Sequence, residues 1–256
     1  KASKRKMKGY GNMKKFFTAC FLFFFAFLLF AQERTFYFVR HGQRGDLRYQ
    51  KTFKECKEDC LMPKGVLQAQ AVGEYLKKLG FEGTVFVSPY YRTLETASLA
   101  CERMGIKKMI LEPRAQEVTG LKSLSKPVGI TKKCLSKKEI KQNFPQVVIP
   151  KKVKFPWRLE NEKSDFADER ISLLIEDFLK NTEGDLLVVC HGGIMNSIVR
   201  EMNKRGAAFP RQKNYNCCLY SFTFDEKTQK IIRFADETPN FMPNELYTDN
   251  LAIVFR

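Results

Sequence analysis

The stretch Phe36-Tyr37-Phe38-Val39-Arg40-His41-Gly42-Gln43-Arg44 decides the reading of this 256-residue chain. An apolar, β-prone run stops abruptly at a cation, an imidazole and a glycine, the pattern of a buried strand whose last residues emerge at a crevice. The same event recurs downstream, where Leu186-Leu187-Val188-Val189-Cys190 runs into His191-Gly192-Gly193. The chain has 2 histidines, and both close a strand in front of a glycine. A lone histidine is usually a surface residue or a hydrogen-bonded core residue. Two in one local context point to a shared site.

Working outward, helical and extended patterns alternate. Val66, Ala69, Val72, Leu76 and Leu79 recur at helical spacing, which predicts a helix over 65–80. Thr84-Val85-Phe86-Val87 reads as a strand running into Ser88-Pro89, with Ser88 expected as an N-cap and Pro89 as the first helical residue. That helix would bury Leu94, Ala97, Cys101 and Met104. A strand is expected at 108–111, and a helix at 165–181 with Phe166, Leu173, Leu174, Ile175 and Phe178 as its apolar residues. A strand at 186–190, a helix at 194–205 and strands at 219–224 and 231–234 complete the series. The stretch 120–160, interrupted by Pro127, Pro145, Pro150 and Pro156, reads as irregular. Strands alternating with helices argue for an α/β fold with a mostly parallel central sheet covered on both faces.

The formal net charge of +17 is unevenly placed. Residues 1–31 carry seven Lys/Arg and no Asp/Glu, and residues 120–160 carry eleven Lys/Arg against Glu139 and Glu160, so the remainder is close to neutral. Charge confined to a leader and one segment excludes a nucleic-acid binder with a basic face. Met13-Lys14-Lys15 followed by the uncharged run 16–31 reads as a signal peptide or membrane anchor over 1–31, ahead of a single domain over 33–256. Membrane association through residues 16–31 and a catalytic domain on the extracytoplasmic side are the corresponding expectations. None of the 8 cysteines forms a paired CxxC, which argues against a zinc site, while Cys56 and Cys60 are spaced to pair in an oxidising compartment.

In a parallel sheet the binding site forms beyond the carboxyl ends of the strands. Those ends deliver Arg40 and His41, then Ser88 and Arg92, then Glu112 through Glu117, then His191. Two guanidiniums, two imidazoles, a glutamate and a helix start suit a phosphate dianion. One imidazole can attack phosphorus, the other can donate to a non-bridging oxygen, and a carboxylic acid can protonate the leaving alkoxide. The arginines supply charge neutralisation, so neither metal nor cofactor is expected.

These residues resemble the histidine phosphatase superfamily, the phosphoglycerate mutase-like proteins. The resemblance rests on Phe38 through Gly42, Ser88 through Ala97, Pro113 through Glu117, Glu162 through Arg170 and Val188 through Gly193, and spans 34–224. It implies a three-layer α/β/α sandwich, His41 as nucleophile, Arg40, Arg92 and His191 on the phosphate, and Glu117 as proton donor. Glu112 competes for the donor role, and Ala115 stands where the family usually has leucine. Mutase members usually follow Arg-His-Gly with an acidic residue and soon a Trp-Asn pair; here Gln43, Arg44, Gly45 and Asp46 follow, and the one tryptophan is Trp157. That departure favours a metal-independent phosphatase over a phosphoglycerate or bisphosphate mutase. A non-catalytic phospholigand-binding protein on the same fold is the alternative outside enzymology. Arg44 is either a substrate contact, as in members with Arg-His-Gly-x-Arg, or a solvated loop arginine.

The expected substrate is a phosphorylated small molecule or a phosphoprotein, and a homodimer is left open. The basic segment would be the insertion that roofs the site in this family. Lys122, Lys126, Lys132 and Lys133 would either attract highly anionic substrates or simply be solvated.

Overall fold

The computed structural model describes residues 33–45, 59–118, 135–153, 164–210 and 213–248. Its sheet has the order β4-β3-β2-β5-β1-β6-β7, with β1 at Glu33–Arg40, β2 at Thr84–Val87, β3 at Met109–Leu111, β4 at Val147–Val148, β5 at Leu186–Cys190, β6 at Leu219–Asp225 and β7 at Ile231–Asp236. The pairs from β4 to β1 are parallel, and β6 and β7 join antiparallel at one side. Among the described residues, five α-helices flank the sheet: α1 Pro63–Lys78, α2 Tyr91–Met104, α3 Lys137–Asn143, α4 Ser164–Asn181 and α5 Gly192–Lys204.

Strand alternation divides the core into two layers. Phe36 and Phe38 of β1 point to one face, where Phe86, Val188, Phe222 and Phe224 meet α4 and α5. Val39, Val85, Val87, Leu187 and Val189 point to the other, against α1 and α2. β5 is buried along its whole length, which explains its unbroken apolar sequence. The three-layer α/β/α expectation holds.

Several local readings change. The helix after β2 starts at Tyr91 with Tyr90 as its N-cap, not at Ser88-Pro89. Ser88 is drawn away by a tertiary partner, its hydroxyl lying 2.8 Å from His191 Nε2, while its carbonyl accepts from Thr93 Oγ1 in the first turn of the helix. Of the apolar residues named on α4, Leu174, Ile175 and Phe178 are buried and Phe166 and Leu173 are exposed, while Ala167 and Ile171 also lie inside. The described part of 120–160 is not irregular. It forms α3, closed by a reciprocal Ser136–Glu139 capping box, and then β4, which extends the sheet beside β3. Ile140 and Phe144 are buried there. Pro145 and Pro150 bracket β4 rather than abolishing structure, and Pro127 and Pro156 lie outside the described residues.

The proposed leader, Cys56 and the four lysines named above lie outside the described residues. Among the described residues, no helix is long and apolar enough to cross a membrane.

Candidate active site

Register alone brings the two histidines together. Arg40 is the parallel partner of Cys190, and His41 N–H donates to Cys190 C=O at 3.0 Å, so the next residue of each strand emerges side by side. The His41 and His191 ring centroids are 5.4 Å apart, and both side chains are buried. Gly42 is required by close approach: a Cβ there would lie 2.6 Å from the Gly65 carbonyl oxygen, where α1 crosses the strand end.

Partner chemistry fixes both imidazole tautomers. His41 Nδ1 lies 2.8 Å from Gly42 C=O. A carbonyl only accepts, so Nδ1 carries the proton and Nε2 presents a lone pair. His191 Nδ1 lies 2.8 Å from Arg92 Nη2, and a guanidinium only donates. Its proton is therefore on Nε2, directed to Ser88 Oγ at 2.8 Å. Both ring nitrogens of His191 thus already have protein partners, which its sequence context did not reveal. Burial, followed by the positive charge of Arg92, holds both imidazoles well below their ordinary value of 6.5, with Arg40 adding to the effect. Both rings are neutral at pH 7.

The expected arginines surround them. Arg92, in the first turn of α2, donates through Nη1 to Asp59 Oδ2 at 2.5 Å, and its guanidinium carbon lies 4.5 Å from the Tyr90 ring centroid. Arg40 donates to Asn214 C=O. Arg44 is largely buried with Nη1 3.4 Å from Asp59 Oδ1, so the solvated-loop reading does not hold. Burial, then repulsion from Arg92, lowers its pKa. Nε of Arg40 and Nε of Arg92 are both buried without a hydrogen-bond partner. Buried donors left unpaired are costly and mark a place where an acceptor belongs. Two such donors beside a neutral nucleophile suit an oxyanion.

Glu117 and Glu112 separate cleanly. Glu112 is held by the backbone N–H and the guanidinium of Arg114, which also reaches Asp177. Glu117 instead accepts from the backbone N–H groups of Gly193 and Ile194 in the first turn of α5, at 3.3 and 3.2 Å. It therefore stands beside the His191 strand end. A Cβ on Gly193 would sit 2.4 Å from Glu117 Oε1, so the second glycine after His191 makes room for this carboxylate. Buried Arg170 donates to the carbonyls of Arg114 and Gln116, bracing the segment that carries Glu117.

Sequence reasoning missed Asp59, Asn214 and Asn216. Asn216 Nδ2 donates to the His41 carbonyl, and Asn214 accepts from Tyr220 and donates to Gly192 C=O. All three lie in polar connecting segments with no periodicity to mark them. Cys60, next to Asp59, is disulfide-bonded. Among the described residues, no cluster of three or more His, Cys, Asp and Glu side chains is placed to hold a metal ion.

Comparison with known proteins identifies the family and the fold. The family model of the histidine phosphatase superfamily (branch 1) matches residues 36–237. Among solved structures, ecdysone phosphate phosphatase from Bombix mori in complex with tungstate aligns with a TM-score of 0.57 at 19% identity, covering 78% of this chain and 92% of that one. A phosphoserine phosphatase variant from Entamoeba histolytica in complex with phosphoserine aligns with a TM-score of 0.50 at 18% identity, covering 81% and 99%. A mycobacterial hydrolase gives 0.50 at 18% identity, covering 80% and 96%. At these identities the likeness establishes the fold. No curated protein matches the chain in sequence.

Proposed function

Since the chain belongs to the histidine phosphatase superfamily, we propose that it hydrolyses phosphomonoesters by way of a phosphohistidine on His41. One observation carries the reading: the Gly42 carbonyl holds the His41 proton on Nδ1, leaving Nε2 unprotonated in a pocket with two unpartnered guanidinium N–H groups. Nε2 attacks phosphorus, the P–O ester bond breaks, and the leaving alkoxide takes a proton from the Glu117 carboxylic acid. Water then attacks phosphorus, Glu117 takes its proton, the P–N bond breaks, and inorganic phosphate leaves. Arg40 and Arg92 hold the charge that spreads over the phosphoryl oxygens. His191 contributes its Nε2–H, which a phosphoryl oxygen can take in place of Ser88 Oγ.

The test is p-nitrophenyl phosphate turnover in EDTA, together with acid-labile label trapped from a radioactive phosphomonoester. We expect turnover to persist and label to appear on the wild type but not on His41→Ala. Absence of both would refute the reading, and transfer of phosphate to an added phosphoglycerate instead of water would make the protein a mutase. We also place the catalytic domain outside the cytoplasm, a reading supported by the Cys60 disulfide and the basic-apolar leader. Protease added to intact cells that express the full chain should degrade it, and protection would overturn that placement.

A further inference from the structure

We propose that Asp59 is the positioning residue of the phosphate site, holding Arg92 in the plane from which it grips the phosphoryl group and offsetting one of three clustered guanidinium charges. The inference rests on the phosphatase reading above and assigns a role to a carboxylate which that mechanism does not use.

Asp59 is buried, at the end of the connection between β1 and α1. Its two oxygens face two different site arginines, Oδ2 toward Arg92 Nη1 at 2.5 Å and Oδ1 toward Arg44 Nη1 at 3.4 Å. Arg92 is fixed on its other side by His191 Nδ1 and across its face by Tyr90. A guanidinium tethered at Nη1 by a carboxylate and at Nη2 by an imidazole has little freedom to rotate, and its unpartnered Nε–H keeps one direction. Without Asp59 the same side chain would turn about the single His191 contact. Misplacing a group that must meet developing charge costs catalysis even when binding survives.

The backbone shows that this placement is built in. Asp59 has φ 70°, the left-handed region that Asp and Asn enter more readily than other residues with a Cβ. The following residues are then pinned: Cys60 C=O accepts from Gly45 N–H, Leu61 N–H donates to Glu95 Oε2, and Met62 N–H donates to Gln43 C=O. The carboxylate is thus delivered to the arginines by fixed structure. Charge gives a second reason. Arg40, Arg44 and Arg92 together carry three positive charges, and one carboxylate leaves two, the match for a phosphate dianion. With three uncompensated charges, inorganic phosphate would bind more tightly.

The experiment compares Asp59→Gly and Asp59→Asn with the wild-type full chain. Glycine accepts φ 70° without strain and removes the carboxylate, whereas asparagine tolerates the conformation and keeps an acceptor for Arg92 without the charge. We expect kcat for p-nitrophenyl phosphate to fall at least about tenfold in the glycine variant and to be largely restored in the asparagine variant. Inorganic phosphate should bind about three- to tenfold more tightly to Asp59→Asn, by calorimetry and as a product inhibitor. A merely structural role would weaken phosphate binding along with turnover. Wild-type kcat in the glycine variant, or phosphate affinity in Asp59→Asn equal to or weaker than wild type, would overturn the proposal. Failure of the wild type to hydrolyse any phosphomonoester would refute the phosphatase reading instead, and the calorimetric comparison would still decide the role of Asp59.

Discussion

Two regions of the molecule invite comparison: the histidine pair at the ends of β1 and β5, and a cavity of about 610 Å³ between α4 and the edge of the sheet. The cavity is roomy, floored by Phe86, Ile110 and Phe178, and its rim arginine, Arg114, is satisfied by Glu112 and Asp177. The histidine site is tight and buried, yet it contains arginine N–H groups with no partner. Arg34 Nε is also unpartnered, but its other two nitrogens are taken by the Phe178, Leu179 and Thr182 carbonyls, whereas Arg40 and Arg92 stand beside an imidazole with a free lone pair. The histidine region is therefore the chemical one.

The sharpest way to break that comparison is His41→Ala. It should remove at least about 10³-fold of kcat, because no second neutral imidazole with a free lone pair stands in the site. Retained turnover would move the chemistry elsewhere. Next in size is Glu117→Gln, expected to cost about 10²-fold in kcat/KM on an alkyl phosphate but far less on p-nitrophenyl phosphate, whose leaving group needs no proton, because kcat/KM reports the phosphorylation step that precedes attack by water. Gly193→Ala should show the same substrate dependence, since its Cβ displaces the carboxylate. Equal losses on both substrates would rule out Glu117 as the acid.

The pH profile sharpens the contrast further. With the His41 pKa held below 6.5, the acid limb of kcat/KM should have its midpoint below pH 6.5. Stability follows the same sign. Both histidines have lowered folded-state values, so the unfolded chain binds more protons below its ordinary 6.5, and stability is lost as pH falls from there. Urea unfolding at pH 7 and pH 5 would read this, and a rise in stability on acidification would contradict neutral buried rings. The smallest effect belongs to the cavity: Asn181→Trp, at its exposed helical rim, should leave kcat/KM within about twofold, as surface substitutions away from special features usually do.

Much of the site was legible because its signals are local. An apolar run ending in Arg-His-Gly marks a strand and its exit at once, and the glycines reveal themselves because a side chain there would strike Gly65 or Glu117. Ser88 was misread for the converse reason. Its N-cap pattern is genuine, but a hydroxyl can serve only so many partners, and His191, 103 positions away in sequence, outcompetes the local one. Phe166 and Leu173 are as apolar as their buried neighbours on α4 yet lie outside, because the helical face is chosen by the sheet beneath it.

By itself, then, the sequence determined the strand ends, the two histidines and the arginines beside them, since each depends on residues adjacent in the chain. Only the tertiary structure decided that Arg40 would pair with Cys190, which tautomer each imidazole would hold, and that Asp59 would lie against Arg92. Those facts depend on register and on contacts between distant segments, and a buried hydrogen bond chooses its partner by proximity in space, which no local pattern encodes.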